Sequence, residues 1–447
     1  MSEPSLDRGS AGPRVRIVTL GCKVNSYDTA TIGDRLRGAG CTLVEGDATA
    51  DVVIVNSCTV TDAADAESRR LARRARREHP AARVIVTGCY AQTQPHGAAA
   101  VDAVDYVIGL NRLDALVEAV TATTPAVPRV TVGQSRREVA VSTFGARTFP
   151  GQTRAFLKVQ EGCDLFCTFC IVPMARGKSR SLAPREVLAE MEGLAAQGFE
   201  EIVLTGVHLG GYGEDLSPRV DLVWLVEALT ERAVVPRIRL SSIDPHEVTE
   251  PLVRLVAQAP ALCPHFHVPL QAADDGVLAR MRRRYDTALA AERLAMIREL
   301  VPSASIGTDL IAGFPGEDDA AFERTLAFVA ASPITYAHVF PYSVRTGTTA
   351  AKLDGRVATA TIRDRAARLR ALAERRRAEF ARGFDGASAE VLVETTRDPA
   401  TGRLRGYTRN YLRAALDGPD ALMGRRVPVR LAIGRGGRVG AIADVAA

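Results

Sequence analysis

Apolar and polar positions divide the chain into three regimes. Near the N-terminus, largely apolar runs at 15–20 (VRIVTL), 51–56 (DVVIVN) and 82–88 (ARVIVTG), with a weaker one at 105–109 (DYVIG), alternate with helical patterns at 26–39 and 63–78. Short strands apolar on both sides, separated by helices of that length, predict a parallel sheet covered on both faces. From 126 to 153 the chain is rich in Thr, Pro, Gly and Arg, and reads as a linker carrying one or two strands.

The alternation then returns with greater regularity. Strand candidates lie at 155–160, 201–206, 237–242, 265–270, 304–313 and 336–342, with helical patterns at 184–197, 219–232, 245–258, 286–300 and 317–331. Six βα units in one row predict an open, partial (βα)6 barrel, and no further units exist to close it at eight. Such folds gather their chemistry at the C-terminal strand ends. A basic helix over 358–382 completes a domain of residues 154–382. Residues 383–447 change to short alternating strands with Gly-rich turns, which predicts a small antiparallel β-barrel. The expected fold class is therefore α/β: an N-terminal parallel-sheet domain at 15–125, the partial barrel, and the C-terminal β-barrel.

Composition narrows the picture. At 447 residues and 47% hydrophobic, the chain can bury two or three cores. No run of about eighteen apolar residues predicts a membrane span. Residues 1–14 lack an apolar h-region and read as a disordered tail, not a signal peptide. A cytoplasmic, reducing setting follows, in which eight cysteines act as ligands or buried thiols and not as disulfides. The net charge is +5, and only Lys23, Lys158, Lys178 and Lys352 among the cations are not arginine, which reads as genome base composition. Residues 381–447 hold 11 Arg against 7 Asp plus Glu. That excess suits a polyanionic partner, or simply a soluble surface.

The cysteines carry the chemistry. Cys163, Cys167 and Cys170 follow the first barrel strand within eight residues. A structural zinc site wants four closed ligands, and no fourth Cys or His stands nearby. A 4Fe–4S cluster held by three thiolates leaves one iron open instead. Cys22, Cys58 and Cys89 each stand just past the end of a predicted parallel strand, on the edge where α/β sheets bind ligands. They read as a second three-cysteine cluster, or as buried thiols at strand ends. Cys41 and Cys263 fit neither set and read as small buried hydrophobes.

The CxxxCxxC loop, with Phe169 before its last Cys, resembles the hallmark of the radical S-adenosylmethionine (SAM) superfamily. With a second tri-cysteine set ahead of the barrel and a small β-barrel behind it, the chain from Val15 onward resembles the methylthiotransferase family. The stretches TLGCKVNSYD (19–28), NSCTVTDAADAESRR (56–70), ARGKSRS (175–181), LTGVHLGGYGEDL (204–216), RLSSIDP (239–245) and FPYSVRTGTTAAKL (340–353) look most like one subfamily. It methylthiolates carbon 2 of N6-threonylcarbamoyladenosine next to the anticodon of tRNA. The relatives that act on isopentenyladenosine or on a ribosomal protein side chain resemble the chain less around Cys58. Ser57 stands where Thr is expected, and Ala272-Ala273 where Ser-Gly is usual.

The resemblance implies two 4Fe–4S clusters and two uses of SAM. One SAM methylates sulfur at the Cys22, Cys58, Cys89 cluster. Another is cleaved at the Cys163, Cys167, Cys170 cluster, and its radical removes the hydrogen from carbon 2. A tRNA substrate, an electron donor and a sulfur donor are the implied partners. Family position puts Phe169 near the SAM adenine, and Gly206, Ser241, Gln271 and Asp309 at strand ends around the cofactor; an ordinary turn or capping role also fits the polar ones. His265 and His267 share a strand face and read as interior packing, Glu317 as a helix cap. Lys23 and Lys178 survive in an arginine-rich chain and could touch cluster or phosphate, or be chance survivors. The C-terminal barrel resembles the TRAM module, where Arg405, Tyr407, Arg409, Asn410 and Tyr411 are expected to meet phosphates and unstacked bases.

Overall fold

The structure is a computed structural model that describes residues 12–46, 48–134 and 145–443. The expected N-terminal tail lies almost entirely outside the described residues. The chain packs as two units: residues up to Thr148 with the segments Glu161–Asp164 and Cys170–Lys178, and the remainder.

The first unit runs β1 (Arg14–Thr19), α1 (Lys23–Gly38), β2 (Thr42–Leu43), β3 (Val52–Ser57), α2 (Asp62–Glu78), β4 (Arg83–Thr87), α3 (Gly88–Thr93), α4 (Pro95–Ala99), β5 (Tyr106–Ile108), α5 (Leu113–Thr121) and β6 (Val130–Thr131). All six strands are parallel, in the order β2-β1-β3-β4-β5-β6. Alternation on β3 and β4 explains why both faces are apolar. Val53, Val55, Val84 and Val86 pack with Ala72, Ala75 and Tyr90 in one core, while Val52, Ile54 and Ile85 pack with Ile32, Leu36 and Leu116 in another. Truncating fully buried Ile54 or Ile85 to Ala would cost about 2–5 kcal/mol. Thr61 starts α2 by accepting from Ala64 N at 3.2 Å, with Asp62 and Asp65 in the first turn. The expected linker contributes β6, which pairs with β5.

The partial barrel is built from β7 (Ala155–Glu161), α6 (Val172–Arg176), β8 (Arg180–Ser181), α7 (Pro184–Ala196), β9 (Glu201–Gly206), α8 (Leu222–Arg232), β10 (Arg237–Leu240), α9 (Glu250–Gln258), β11 (His265–His267), α10 (Asp275–Arg280), α11 (Thr287–Leu300), β12 (Ser305–Ala312), α12 (Asp319–Ala331) and β13 (Tyr336–Pro341). Glu161 and α6 belong to the first unit. The strands form two sheets, β10-β9-β7-β8 and β11-β12-β13, joined by isolated bridges such as Ser242 to His267. The break arises because β11 stops at His267, well short of residue 270: Pro269 has no N–H for the ladder, and Leu270 N turns to Thr308 Oγ1 at 3.1 Å.

Asp221, Asp274, Asp286 and Asp318 cap α8, α10, α11 and α12 through their side chains. Asp318 therefore takes the capping role expected of Glu317. The Glu317 carboxylate instead accepts from the Gly313 and Phe314 amides ahead of it and lies 3.5 Å from Arg365.

After α13 (Thr359–Arg382), strands β14 (Ser388–Arg397), β15 (Leu404–Thr408), β16 (Arg413–Leu416), β17 (Arg426–Ile433) and β18 (Val439–Ala443) close a five-stranded barrel. Neighbours are antiparallel except β16 and β18. Val391, Val393, Leu404, Leu416, Val429 and Leu431 fill its interior.

This barrel packs firmly on the partial barrel within the same unit. Buried Arg237 donates to Glu390 O at 2.7 Å and Tyr407 O at 3.2 Å. Buried Arg239 grips Glu201 at 2.7 Å and donates to Arg409 O at 2.9 Å. Burial opposes ionisation of Glu201, but Arg239 outweighs it and holds the carboxyl below its usual range. Arg409 itself donates to Leu262 O at 2.8 Å, and Asn410 to Ser303 O at 3.4 Å. Tyr411 lies 4.6 Å from the His265 ring and 4.8 Å from Tyr407, with Arg239 over its face. Arg405 pairs with Glu394 at 2.8 Å. The basic and aromatic run expected to meet RNA is thus largely spent on joining the two barrels.

Candidate metal centres

Strands β1, β3 and β4 are neighbours in register, Thr19 beside Asn56 beside Thr87. Their tips therefore deliver Cys22, Cys58 and Cys89 to one sheet edge. Two glycines make the convergence possible. Gly21 has φ +116°, and a Cβ there would sit 3.2 Å from Cys58 Sγ; Gly88 has φ +90°, and its Cβ would meet Ser57 O at 2.4 Å. Asn25 fastens the first two loops together, donating to Leu20 O at 2.7 Å and Ser57 O at 3.0 Å. Cys22 is exposed while Cys58 and Cys89 are buried, and all three are free thiols. Burial pushes the Cys58 thiol up, and that of Cys89 to about 12; Cys22 raises both further, Cys58 also raises Cys89, and Arg176 acts on both in the opposite sense. Three thiols at one sheet edge, two of them costly to ionise without a counter-charge, suit a metal centre that takes thiolates and releases protons.

Arg176 is the residue that motif reading missed, although ARGKSRS contains it. It is buried, and donates to Asn25 Oδ1 at 2.7 Å, Asp28 Oδ2 at 2.8 Å and Glu161 Oε1 at 3.0 Å. The guanidinium thus fastens the turn after Cys22 to the strand end that leads into Cys163. Lys178 serves here through its backbone: Gly162 has φ +74°, and a Cβ would lie 1.9 Å from Lys178 O. Lys23 is the first residue of α1, half-buried beside Cys22.

The loop holding Cys163, Cys167 and Cys170 is pinned at several points. Cys163 N donates to Gly177 O at 3.1 Å. Thr168 donates to Met281 O at 3.1 Å and through Oγ1 to Arg280 O at 2.9 Å, and accepts from Ala350 N at 2.8 Å. Phe166 sits at φ +50°, a left-handed turn between the first two cysteines. The three cysteines are half-exposed free thiols. This donor set fits a cluster with one iron open to a ligand.

The expected cofactor residues all lie toward the C-terminal side of the strands. Gly206 ends β9, where a Cβ would crowd Gln160 at 3.1 Å. Ser241 follows β10, and its buried hydroxyl has no partner among the described residues. Gln271 is held at φ +63°, bonded on both sides to β12 through Asp309 O and Ile311 N. An orphaned hydroxyl and a strained non-glycine backbone are features that a bound ligand accounts for. Phe169 meets Phe314 edge-on at 6.4 Å. Asp309 sits within β12, short of its end, with Oδ1 3.1 Å from His267 Nε2. His265 bonds Tyr336 OH at 2.8 Å, and His267 bonds the same hydroxyl at 3.3 Å. The pair thus belongs to an interior polar network, although His267, Asp309 and His338 also group within metal-ligating reach of one another.

The chain is similar to known proteins over most of its length. Residues 14–109 match the uncharacterized protein family UPF0004, and residues 157–329 the radical SAM superfamily. The threonylcarbamoyladenosine tRNA methylthiotransferase MtaB of Bacillus subtilis (strain 168) is 36% identical over 416 residues, 92% of each chain. That of Aquifex aeolicus (strain VF5) is 37% identical over 381 residues, 85% of this chain and 92% of the relative. A tRNA-2-methylthio-N(6)-dimethylallyladenosine synthase of Parafrankia sp. is 34% identical over 429 residues, 93% of this chain and 85% of its own. In fold, the chain is similar to the radical SAM methyltransferase TsrM from Kitasatospora setae, solved with cobalamin and a 4Fe–4S cluster: TM-score 0.54, 16% identity, covering 74% of this chain and 75% of that one.

Proposed function

Because the chain belongs to the radical SAM tRNA methylthiotransferase family, we propose that it methylthiolates carbon 2 of N6-threonylcarbamoyladenosine next to the anticodon of tRNA. The observation that carries this reading is the gathering of Cys22, Cys58 and Cys89 at one sheet edge, in a chain that matches such enzymes over 92% of its length. In this reading Cys163, Cys167 and Cys170 hold one 4Fe–4S cluster, and Cys22, Cys58 and Cys89 the other. When bound, the clusters and SAM supply the hydrogen-abstracting radical and the methylated sulfur that replaces the hydrogen.

The protein's own residues position and enclose. Gly162 lets the first cysteine loop fold tightly onto the Gly177-Lys178 backbone. Asn25 and Arg176 hold the second set in register with the segment that leads into Cys163. Phe169, Gly206, Ser241, Gln271 and Asp309 form the SAM cradle, with the unpartnered Ser241 hydroxyl as a donor or acceptor for it. An aromatic C–H offers neither an acidic proton nor a leaving group, so no side chain acts as general base at carbon 2. A one-electron reductant and a sulfur donor complete the reaction, and the setting is cytoplasmic. No helix among the described residues is long and apolar enough to cross a membrane.

Anaerobic reconstitution tests the assignment. The chain should take up about eight irons and, on reduction with SAM, release 5′-deoxyadenosine. Iron uptake near four would remove one cluster, and absence of 5′-deoxyadenosine would remove the radical chemistry.

A further inference from the structure

One guanidinium outside the cysteine motifs is aimed at a cluster ligand. Arg283 Nη1 donates to Cys167 Sγ at 3.1 Å. The other arms of the fork are also occupied. Nε donates to Tyr285 OH at 3.0 Å, and Nη2 lies 2.7 Å from Asp244 Oδ1. Tyr285 is itself fixed, its hydroxyl donating to Leu270 O at 2.7 Å and its ring lying under the guanidinium at 4.9 Å. The Arg283 side chain is only 5% exposed, so its donors are largely shielded from water.

The backbone is built to deliver this side chain. Helix α10 ends in a left-handed turn at Arg282, φ +57°. Arg282 N donates to Ala279 O and Arg283 N to Leu278 O, both at 3.0 Å, the hydrogen-bond pattern that usually employs glycine. An arginine held there in a left-handed conformation costs about 1–2 kcal/mol, which neighbouring contacts must offset. Thr168, next to Cys167, is bonded to Arg280 O and Met281 O of the same turn. One turn therefore fixes both the sulfur and its donor.

Hydrogen bonds to ligand sulfurs are among the determinants of an iron–sulfur potential, because they favour the more negative, reduced state. We propose that Arg283 is a positioning residue that raises the reduction potential of the cluster at Cys163, Cys167 and Cys170 through its N–H···S bond to Cys167, with Asp244 as a counter-charge that moderates the effect. This rests on the assignment of that cluster in the proposed function. It adds a residue distant in sequence whose effect is on electron entry and not on ligation.

The test uses the full chain with Cys22, Cys58 and Cys89 changed to Ala, so that only one cluster contributes. Reconstituted protein is poised at a series of potentials and the reduced cluster counted by electron paramagnetic resonance. Arg283→Met should lower the reduced-to-oxidised ratio at fixed potential at least tenfold, a midpoint shift of about 59 mV. Arg283→Lys, which keeps the charge but loses the fork, should shift it the same way by less, and decides the matter if the Met variant does not hold iron. Asp244→Asn should shift it in the opposite direction, which general loosening of the site would not do. A midpoint unmoved in Arg283→Met, or in Arg283→Lys where the Met variant is apo, with four irons retained, overturns this inference alone; so does weakened SAM binding at an unmoved midpoint. A parent that retains no iron overturns the cluster assignment, and this inference with it.

Discussion

Arg176 Nη2 donates to Asn25 Oδ1 at 2.7 Å across 151 residues of sequence. Asn25 uses its other end to fasten the loops of Cys22 and Cys58, so one buried cation braces the sheet edge that carries these cysteines. Asp28 and Glu161 complete its coordination at 2.8 and 3.0 Å.

Removing one partner from a buried ion network strands the others without compensation. Arg176→Met should therefore cost about 3–5 kcal/mol in urea unfolding of the N-terminal unit. It should also reduce iron uptake selectively in protein where only Cys22, Cys58 and Cys89 remain. Unchanged stability would mean that water replaces the guanidinium, against its burial.

Gly162→Ala tests the backbone of the other loop. A methyl group would overlap Lys178 O, and the left-handed backbone alone costs about 1–2 kcal/mol in a non-glycine residue. The variant should fall from about eight irons per chain to about four, measured by iron and protein assay. Full iron content would show that the loop ligates without this close approach.

Much of this geometry follows from periodicity, and part of it cannot. Largely apolar β3 and β4, bounded by helical repeats, place Cys58 and Cys89 at strand tips without reference to packing. Cys163, Cys167 and Cys170 were legible because all three lie in one short loop. Arg176 and Arg283 were not, because an arginine in a basic chain carries no mark of burial; 151 residues separate Arg176 from Asn25, and 116 separate Arg283 from Cys167. The run from Arg405 to Tyr411 has a second use that was hidden for a related reason. Interleaved Arg and Tyr suit RNA and suit a barrel-to-barrel joint equally well, and the carbonyls of Pro260, Leu262 and Ser303 show Arg409 and Asn410 engaged in the joint.

That engagement of Arg409 predicts a clean dissociation. Arg409→Ala should lower the urea midpoint yet leave the salt dependence of tRNA binding unchanged, since losing a phosphate contact would reduce the slope by about 1. Binding across a series of salt concentrations gives the slope. A reduced slope with unaltered stability would return Arg409 to the RNA surface.

His208 gives a pH signature. Burial presses its pKa down, but the hydrogen bond to the Glu247 carboxylate, together with the charges of Glu247, Asp244 and Glu214, outweighs this and leaves it raised. A folded pKa above the unfolded one contributes stability that is present in full below about pH 6.5 and is lost as pH rises through the folded value. The urea midpoint should thus fall between pH 6 and pH 9, and less so in Glu247→Gln. An equal fall in both proteins would assign the effect elsewhere.

The central claim concerns one atom of one nucleoside. Mass spectrometry of nucleosides from the tRNA of a strain lacking this gene decides it. The account predicts that 2-methylthio-N6-threonylcarbamoyladenosine disappears, that N6-threonylcarbamoyladenosine accumulates in its place, and that the gene restores the modification while its Cys89→Ala variant does not. Undiminished methylthiolated nucleoside in the deletion strain would contradict it.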